Sequence, residues 1–157
     1  MAITQSMSTS FKAEILLGVH DFRATGGDVF KLALYTSAAS LDANTASYTA
    51  TNEVVGAGYT AGGGTLSKIG VTTAPSTGST GTGYTTFSDL TFTTATITAR
   101  GALIYNTTPS ALSNSGAVLV NPTVAVLDFG SDKTTTGGNF TITFPSASST
   151  TAIIRIS

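Results

Sequence analysis

Cysteine is missing from all 157 residues, which excludes disulfide staples and thiolate metal ligands. Tryptophan is missing too, and tyrosine numbers only five, so large aromatic platforms of the kind that hold sugars are scarce. Charge is thin: 10% of the residues are charged, against roughly 25% in an average soluble domain. Net charge is −1, and the seven Lys and Arg residues scatter from Lys12 to Arg155 without clustering, so a basic groove for nucleic acid is not expected. No apolar run approaches the roughly 20 residues that a membrane helix needs, so no membrane partner is expected. The short run 15–19 follows Lys12 and Glu14 and does not read as a secretory signal. The absence of cysteine suits folding in a reducing cytoplasm.

Threonine, serine, alanine and glycine fill the space that charge leaves. Hydrophobic residues reach 41%, and the mean hydropathy of +0.27 argues against a disordered chain. The length fits one domain, able to bury about 68–70% of the surface its unfolded form exposes.

Residues 1–10 are rich in Ser and Thr, lack a period, and read as an N-terminal arm. Residues 11–20 read as a short helix, with Ser10 as cap and Phe11, Ile15 and Leu16 (or Val19) on its inner face. Residues 28–35 read as the first long strand. Residues 36–64 read as a long Gly/Ser/Thr-rich loop, because the glycines of 56–64 make a regular element too costly in entropy. Further strands are expected at 65–73, 84–92, 94–106, 117–120, 124–129, 140–144 and 152–156. A loop at 74–83 and turns at 114–116 and 134–139 separate them. The expected fold is all-β: residues 11–157 form one antiparallel β-sandwich, jelly-roll-like, with one short N-terminal helix. Arm and loop are expected to take their order from a partner, so that deleting residues 1–10 would leave melting nearly unchanged.

The motifs offer little chemistry. Gly56-Ala-Gly-Tyr-Thr-Ala61 has the spacing of a dinucleotide-binding turn, but such a turn needs a helix after its glycines, and here more glycine follows. His20, the one histidine, would need an acid such as Asp21 and a serine opposite to make a hydrolytic triad, and no nucleophile elbow frames it. A helix-terminal histidine beside the last carbonyls is the plainer reading. The eight carboxylates are dispersed, and the neighbours Asp21/Asp28 and Asp128/Asp132 lie in turn-like contexts without calcium-loop spacing. Thr91/Thr93, Thr96/Thr98 and Thr141/Thr143 read as exposed strand faces, since no fixed repeat supports an ice-binding rank. The glycosylation-type triplets at Asn106 and Asn139 read as turn asparagines. No catalytic, cofactor-binding or metal-ligating residue is nominated, and the chain is not expected to be an enzyme.

A set of segments carries more than composition does. Phe11-Lys-Ala-Glu-Ile-Leu-Leu-Gly-Val-His-Asp-Phe22, Asp28-Val-Phe-Lys-Leu-Ala-Leu-Tyr-Thr36, Tyr48-Thr-Ala-Thr-Asn-Glu53 and Gly58-Tyr-Thr-Ala-Gly-Gly63 belong to it. So do Ala99-Arg-Gly-Ala-Leu-Ile-Tyr105, Ala125-Val-Leu-Asp-Phe-Gly130 and the closing 140–156. Together they resemble a family of small structural proteins of tailed bacteriophages, over nearly the whole chain. The resemblance implies a virion protein assembled in the bacterial cytoplasm, of the capsid cement or decoration kind. Its partners would be the major capsid protein or other virion proteins. A receptor- or glycan-binding module of a head fibre or tail is the alternative. Icosahedral shells offer three-fold sites, so a homo-oligomer, by preference a trimer, is expected.

Overall fold

Phe30-Lys-Leu-Ala-Leu-Tyr35 places apolar side chains on both faces of a strand, which only a sheet covered on both sides can accept. In the computed structural model, which describes residues 2–73 and 81–157, this strand lies inside the larger of two antiparallel sheets. In chain order the elements are β1 (Ser6–Met7), α1 (Thr9–Leu16), β2 (Phe30–Tyr35), β3 (Gly64–Thr65) and β4 (Thr72–Thr73). They continue with β5 (Gly83–Thr85), β6 (Leu90–Asn106), β7 (Thr123–Ile142) and β8 (Ile154–Ile156). The five-stranded sheet runs β1-β7-β6-β2-β3 and the three-stranded sheet β4-β5-β8. The protein is all-β with one short helix.

Period-two alternation sorts the side chains of the large sheet into two cores. Phe30, Leu32, Leu34, Ala102 and Ile104 enter the main core, closed over by Phe11 of α1, Phe87, Phe144 and Ile154 of β8. Ala33, Tyr35, Leu103, Tyr105 and Val126 enter a second core on the opposite face. Ile3, Ala39 and Leu41 seal that second core, so the N-terminal segment and the long loop are its cover.

This corrects the expectation for both segments. Residues 2–8 are not a free arm. Ser6 and Met7 pair with Val126 and Ala125, the Thr4 amide donates to the Leu41 carbonyl at 2.8 Å, and Ile3 is 4% exposed. Gly101 makes room for Ile3, since a Cβ there would meet the Leu127 carbonyl oxygen at 2.5 Å and the Ile3 side chain at 2.9 Å. The loop 36–64 is irregular, as expected, yet lies flat on the sheet. At Gly63 (φ +71) a Cβ would fall 1.8 Å from the Leu32 carbonyl oxygen.

The ribbon of β6 and β7 is the longest feature, at 17 and 20 residues. It absorbs the strands expected at 124–129 and 140–144 and the turn expected at 134–139. β7 runs through the first and the turn and ends at Ile142 inside the last, with Gly130 (φ 76) and Gly137 (φ 63) at left-handed kinks. Register shifts such as that between Phe92 and Ala95 keep the ribbon paired while it twists. The strand expected at 65–73 is reduced to its two ends, β3 and β4, and that at 84–92 to β5 and the start of β6. Residues 117–120 form no strand, although the turn before them is present at 114–116. Most of the loop expected at 74–83 lies outside the described residues.

The helix begins and ends earlier than expected, with Ser8 rather than Ser10 at its N-cap and without a side-chain cap bond. Its buried residues are Phe11 and Glu14, three apart on one face, and Ile15 packs partly against the core as expected. Of the two alternatives for the fourth contact, Val19, just beyond the helix, is fully buried, whereas Leu16 points away and is 87% exposed.

Candidate functional site

Two buried polar clusters hold the irregular segments against the sheets. The first centres on Glu53, the single charge between Asp42 and Lys68. Its carboxylate is buried and accepts three hydrogen bonds: from the Tyr48 hydroxyl at 2.6 Å, the Tyr59 hydroxyl at 2.5 Å and the Gly62 amide at 2.7 Å. The Tyr59 hydroxyl in turn accepts from the Leu34 amide of β2 at 2.9 Å, which ties the loop to the sheet. Tyr105 donates to the Gly62 carbonyl at 2.7 Å and stacks on Tyr48 with ring centroids 4.7 Å apart. Tyr35 donates to the Thr49 carbonyl at 2.5 Å. Burial, reinforced by the Glu53 charge, raises Tyr35, Tyr48 and Tyr59 far above the ordinary tyrosine range and Tyr105 to about 12. These hydroxyls therefore stay protonated and act as donors, which suits holding a loop rather than moving protons.

The second cluster centres on His20. Its ring is fully buried, with Nε2 2.7 Å from Glu14 Oε2 and Nδ1 3.1 Å from Asn106 Nδ2. Asn106 also donates to Asp28 Oδ2 at 2.8 Å. Asp28 Oδ2 further accepts from the Asp21 amide at 2.9 Å, and Asp28 Oδ1 from the Ser110 hydroxyl at 2.6 Å. Lys68 donates its ammonium to the Asp28 carbonyl. Phe11, Phe22 and Phe30 surround the imidazole at centroid distances of 4.8, 6.4 and 6.3 Å. Desolvation lowers the His20 pKa below 6.5, against the pull of the Glu14 and Asp28 carboxylates.

The triad weighed for His20 does not form. The Asp21 carboxylate is engaged by Arg23, whose bonds hold it down at about 2, and the serine hydroxyl in this cluster binds Asp28 rather than the imidazole. His20 does not cap α1 as expected either: its ring reaches sideways to Glu14, and the last helical carbonyls are taken by the amides of Leu17, Gly18 and Val19. Asp128 pairs with Arg100 at 3.0 Å across the ribbon, which lowers its pKa. The motif at 56–61 serves close packing: the Ala57 carbonyl accepts from the Thr96 amide at 2.9 Å, and no helix follows. Asn106 is not a turn residue but the buried last residue of β6, and Asn139 lies within β7.

Outside these clusters the surface is neutral and hydroxylated. Thr91 and Thr141 join hydroxyls across the ribbon at 2.9 Å, as Thr98 and Thr134 do at 2.8 Å. An open concavity of about 510 Å³ lies along β7, bordered by Phe129, Lys133, Thr135, Asn139, Phe140 and Thr143. Large aliphatic side chains break the polar surface: Leu16, Val55 at 94% exposure, and Val118 and Val120 at 76% and 70%. Val118 and Val120 flank half-buried Leu119 in an irregular segment that has no strand partner among the described residues.

Sequence reasoning missed both clusters. Each has a signal in retrospect: Glu53 is a lone charge with tyrosines five residues before and six after it, and Glu14 is a lone acid among apolar helix positions. Set beside protein-family models, curated proteins and solved structures, the chain has no match in any of the three.

Proposed function

We propose that this chain is a structural protein of a tailed-bacteriophage particle, bound to the outer head shell as a cement or decoration protein. The observation that carries the reading is the run Val118-Leu119-Val120, whose two valines are 76% and 70% exposed, in a surface that also turns Leu16, Val55, Val71 and Leu112 outward. Apolar surface held outward on a well-packed domain is characteristic of a face that meets another protein. Its supports are rigid. The Glu53 cluster fixes the loop that carries Val55, and Pro122, bridged to Ser47, fixes the chain just after Val120. The resemblance to small virion proteins, which spans nearly the whole chain, points to the same role. The partner is then the major capsid protein or a neighbouring virion protein, the chain acts as a homo-oligomer with a trimer favoured, and it resides in the virion.

A receptor- or glycan-binding role in a head fibre or tail would use a different surface, the concavity beside Phe129 and Asn139. The two readings separate in one experiment. Purified protein is mixed with tailed-phage heads that lack it, and binding is measured by co-sedimentation. Burying a valine side chain contributes about 1.5–3 kcal/mol. The pair Val118→Asp and Val120→Asp should therefore weaken binding at least about tenfold with melting unchanged, while Asn139→Ala should bind as the unaltered protein does. Equal binding by the aspartate variant, with loss in Asn139→Ala, would overturn the cement reading.

A further inference from the structure

The hydrogen bonds around His20 admit only one protonation state of its ring. The Asn106 side-chain oxygen accepts from the Thr108 amide at 2.9 Å, which orients the amide group. Its nitrogen is then left to donate one hydrogen to Asp28 Oδ2 and the other to His20 Nδ1. His20 Nδ1 must carry a lone pair, and the single ring hydrogen sits on Nε2, aimed at Glu14. A proton added at Nδ1 would face the Asn106 amide hydrogens. Turning the amide over would not help, because its oxygen would then oppose the Asp28 carboxylate and its nitrogen the Thr108 N–H.

The surroundings offer an added charge little else. Glu14 from α1 and Asp28 ahead of β2 attract it, and they are the two acidic side chains turned toward the ring. Lys68 is engaged elsewhere, 5.8 Å from the centre of the Phe30 ring and bonded to the Asp28 backbone. Arg23 and Asp21, in the same connection as His20, are paired with each other. On the side of the small sheet, Phe22, Val71, Thr85, Ile154 and Ile156 border a mostly apolar cavity of about 190 Å³ next to the imidazole, with no charged side chain among the described residues of its walls.

We propose that His20 is an acid-operated latch: proton uptake at Nδ1 breaks the bond to Asn106 at the end of β6 and lets α1, with the α1–β2 connection, swing off the sheet where the helix packs against β7. The latch joins three separate parts of the chain, namely α1 through Glu14, the connection through His20 and Asp28, and the end of β6 through Asn106. Opening it uncovers Phe11 and Phe22, which now pack edge to face at 6.0 Å. The sign follows from linkage. The closed state holds the ring neutral with its pKa below the free value of 6.5, so the open state binds the extra proton. Closure is at full strength above pH 6.5 and is lost as pH falls from there toward the closed-state pKa.

Because His20 is the one histidine, its ring signals are unambiguous in NMR of the unaltered protein. At neutral pH the ring nitrogens should show the neutral form with hydrogen on Nε2, and the folded protein should titrate below 6.5. Hydrogen-exchange protection of α1, corrected for intrinsic rates, should fall by up to about tenfold per pH unit in that window, while protection of β2 and β6 changes little. A second protein, His20→Gln, should show α1 protection that no longer depends on pH between 7 and 5. A ring that titrates at or above 6.5, hydrogen on Nδ1, or α1 protection that stays constant while the ring protonates would each overturn the latch.

Discussion

Glu53 is 8% exposed and accepts its three hydrogen bonds in a part-buried site under the loop. Replacing it by alanine would leave two tyrosine hydroxyls and the Gly62 amide short of a partner at once. Bonds to a charged acceptor are worth about 1.5–3 kcal/mol each and are not additive, so Glu53→Ala should cost about 3–5 kcal/mol in urea unfolding. A loss below about 0.5 kcal/mol, the scale of an ordinary surface substitution, would show that the loop is held by something else. These residues were only half legible in the sequence. A lone carboxylate in an uncharged stretch marks a buried acceptor, but which tyrosines reach it depends on how the loop folds back. Asn106 shows the limit more sharply. Its triplet suggests a surface turn, and only the crossing of β6 with the α1–β2 connection turns it into the donor that sets the tautomer of His20.

Among the elements, the N-terminal segment departs most from expectation. Ser and Thr suggested a free arm, yet Ile3 closes the second core, and its neighbours bond to Leu41 and Val124. Truncating a buried isoleucine to alanine costs about 2–5 kcal/mol. Ile3→Ala should therefore lower melting, and removal of residues 1–10 should lower it further. Calorimetry showing no change in either would restore the free arm. The error has a physical source in β2. Phe30, Leu32 and Leu34 alone would make a strand with one covered face, but Ala33 and Tyr35 are apolar as well, so something must cover the second face. The segments left to do so were those that composition had marked as unstructured. The ribbon failed for a different reason. Gly137 and Gly138 resemble a hairpin turn, and in β7 they instead take up the register shift opposite Ala95. The helix and the β2 and β6 strands were legible because their periodicity is local.

For the whole molecule, the combination is a chain of net charge −1 whose main sheet is covered on both faces, with aliphatic side chains such as Val55, Val118 and Val120 pointing outward. Beyond β1 the outer edge of β7 has no strand partner among the described residues, and Lys133 with the kinks at Gly130 and Gly137 discourages strand-to-strand aggregation there. Such a body gains by standing among fixed neighbours, where many symmetric contacts add. The proposed place of this body is the outer head shell. Cryo-electron microscopy of tailed-phage particles assembled with this chain present tests it most directly. Density for this all-β fold should repeat at symmetric positions over the head, in clusters about the three-fold axes, with residues 118–120 against the shell. Particles whose heads lack it, or that carry only a few copies at the neck or tail, would rule out a place on the head shell.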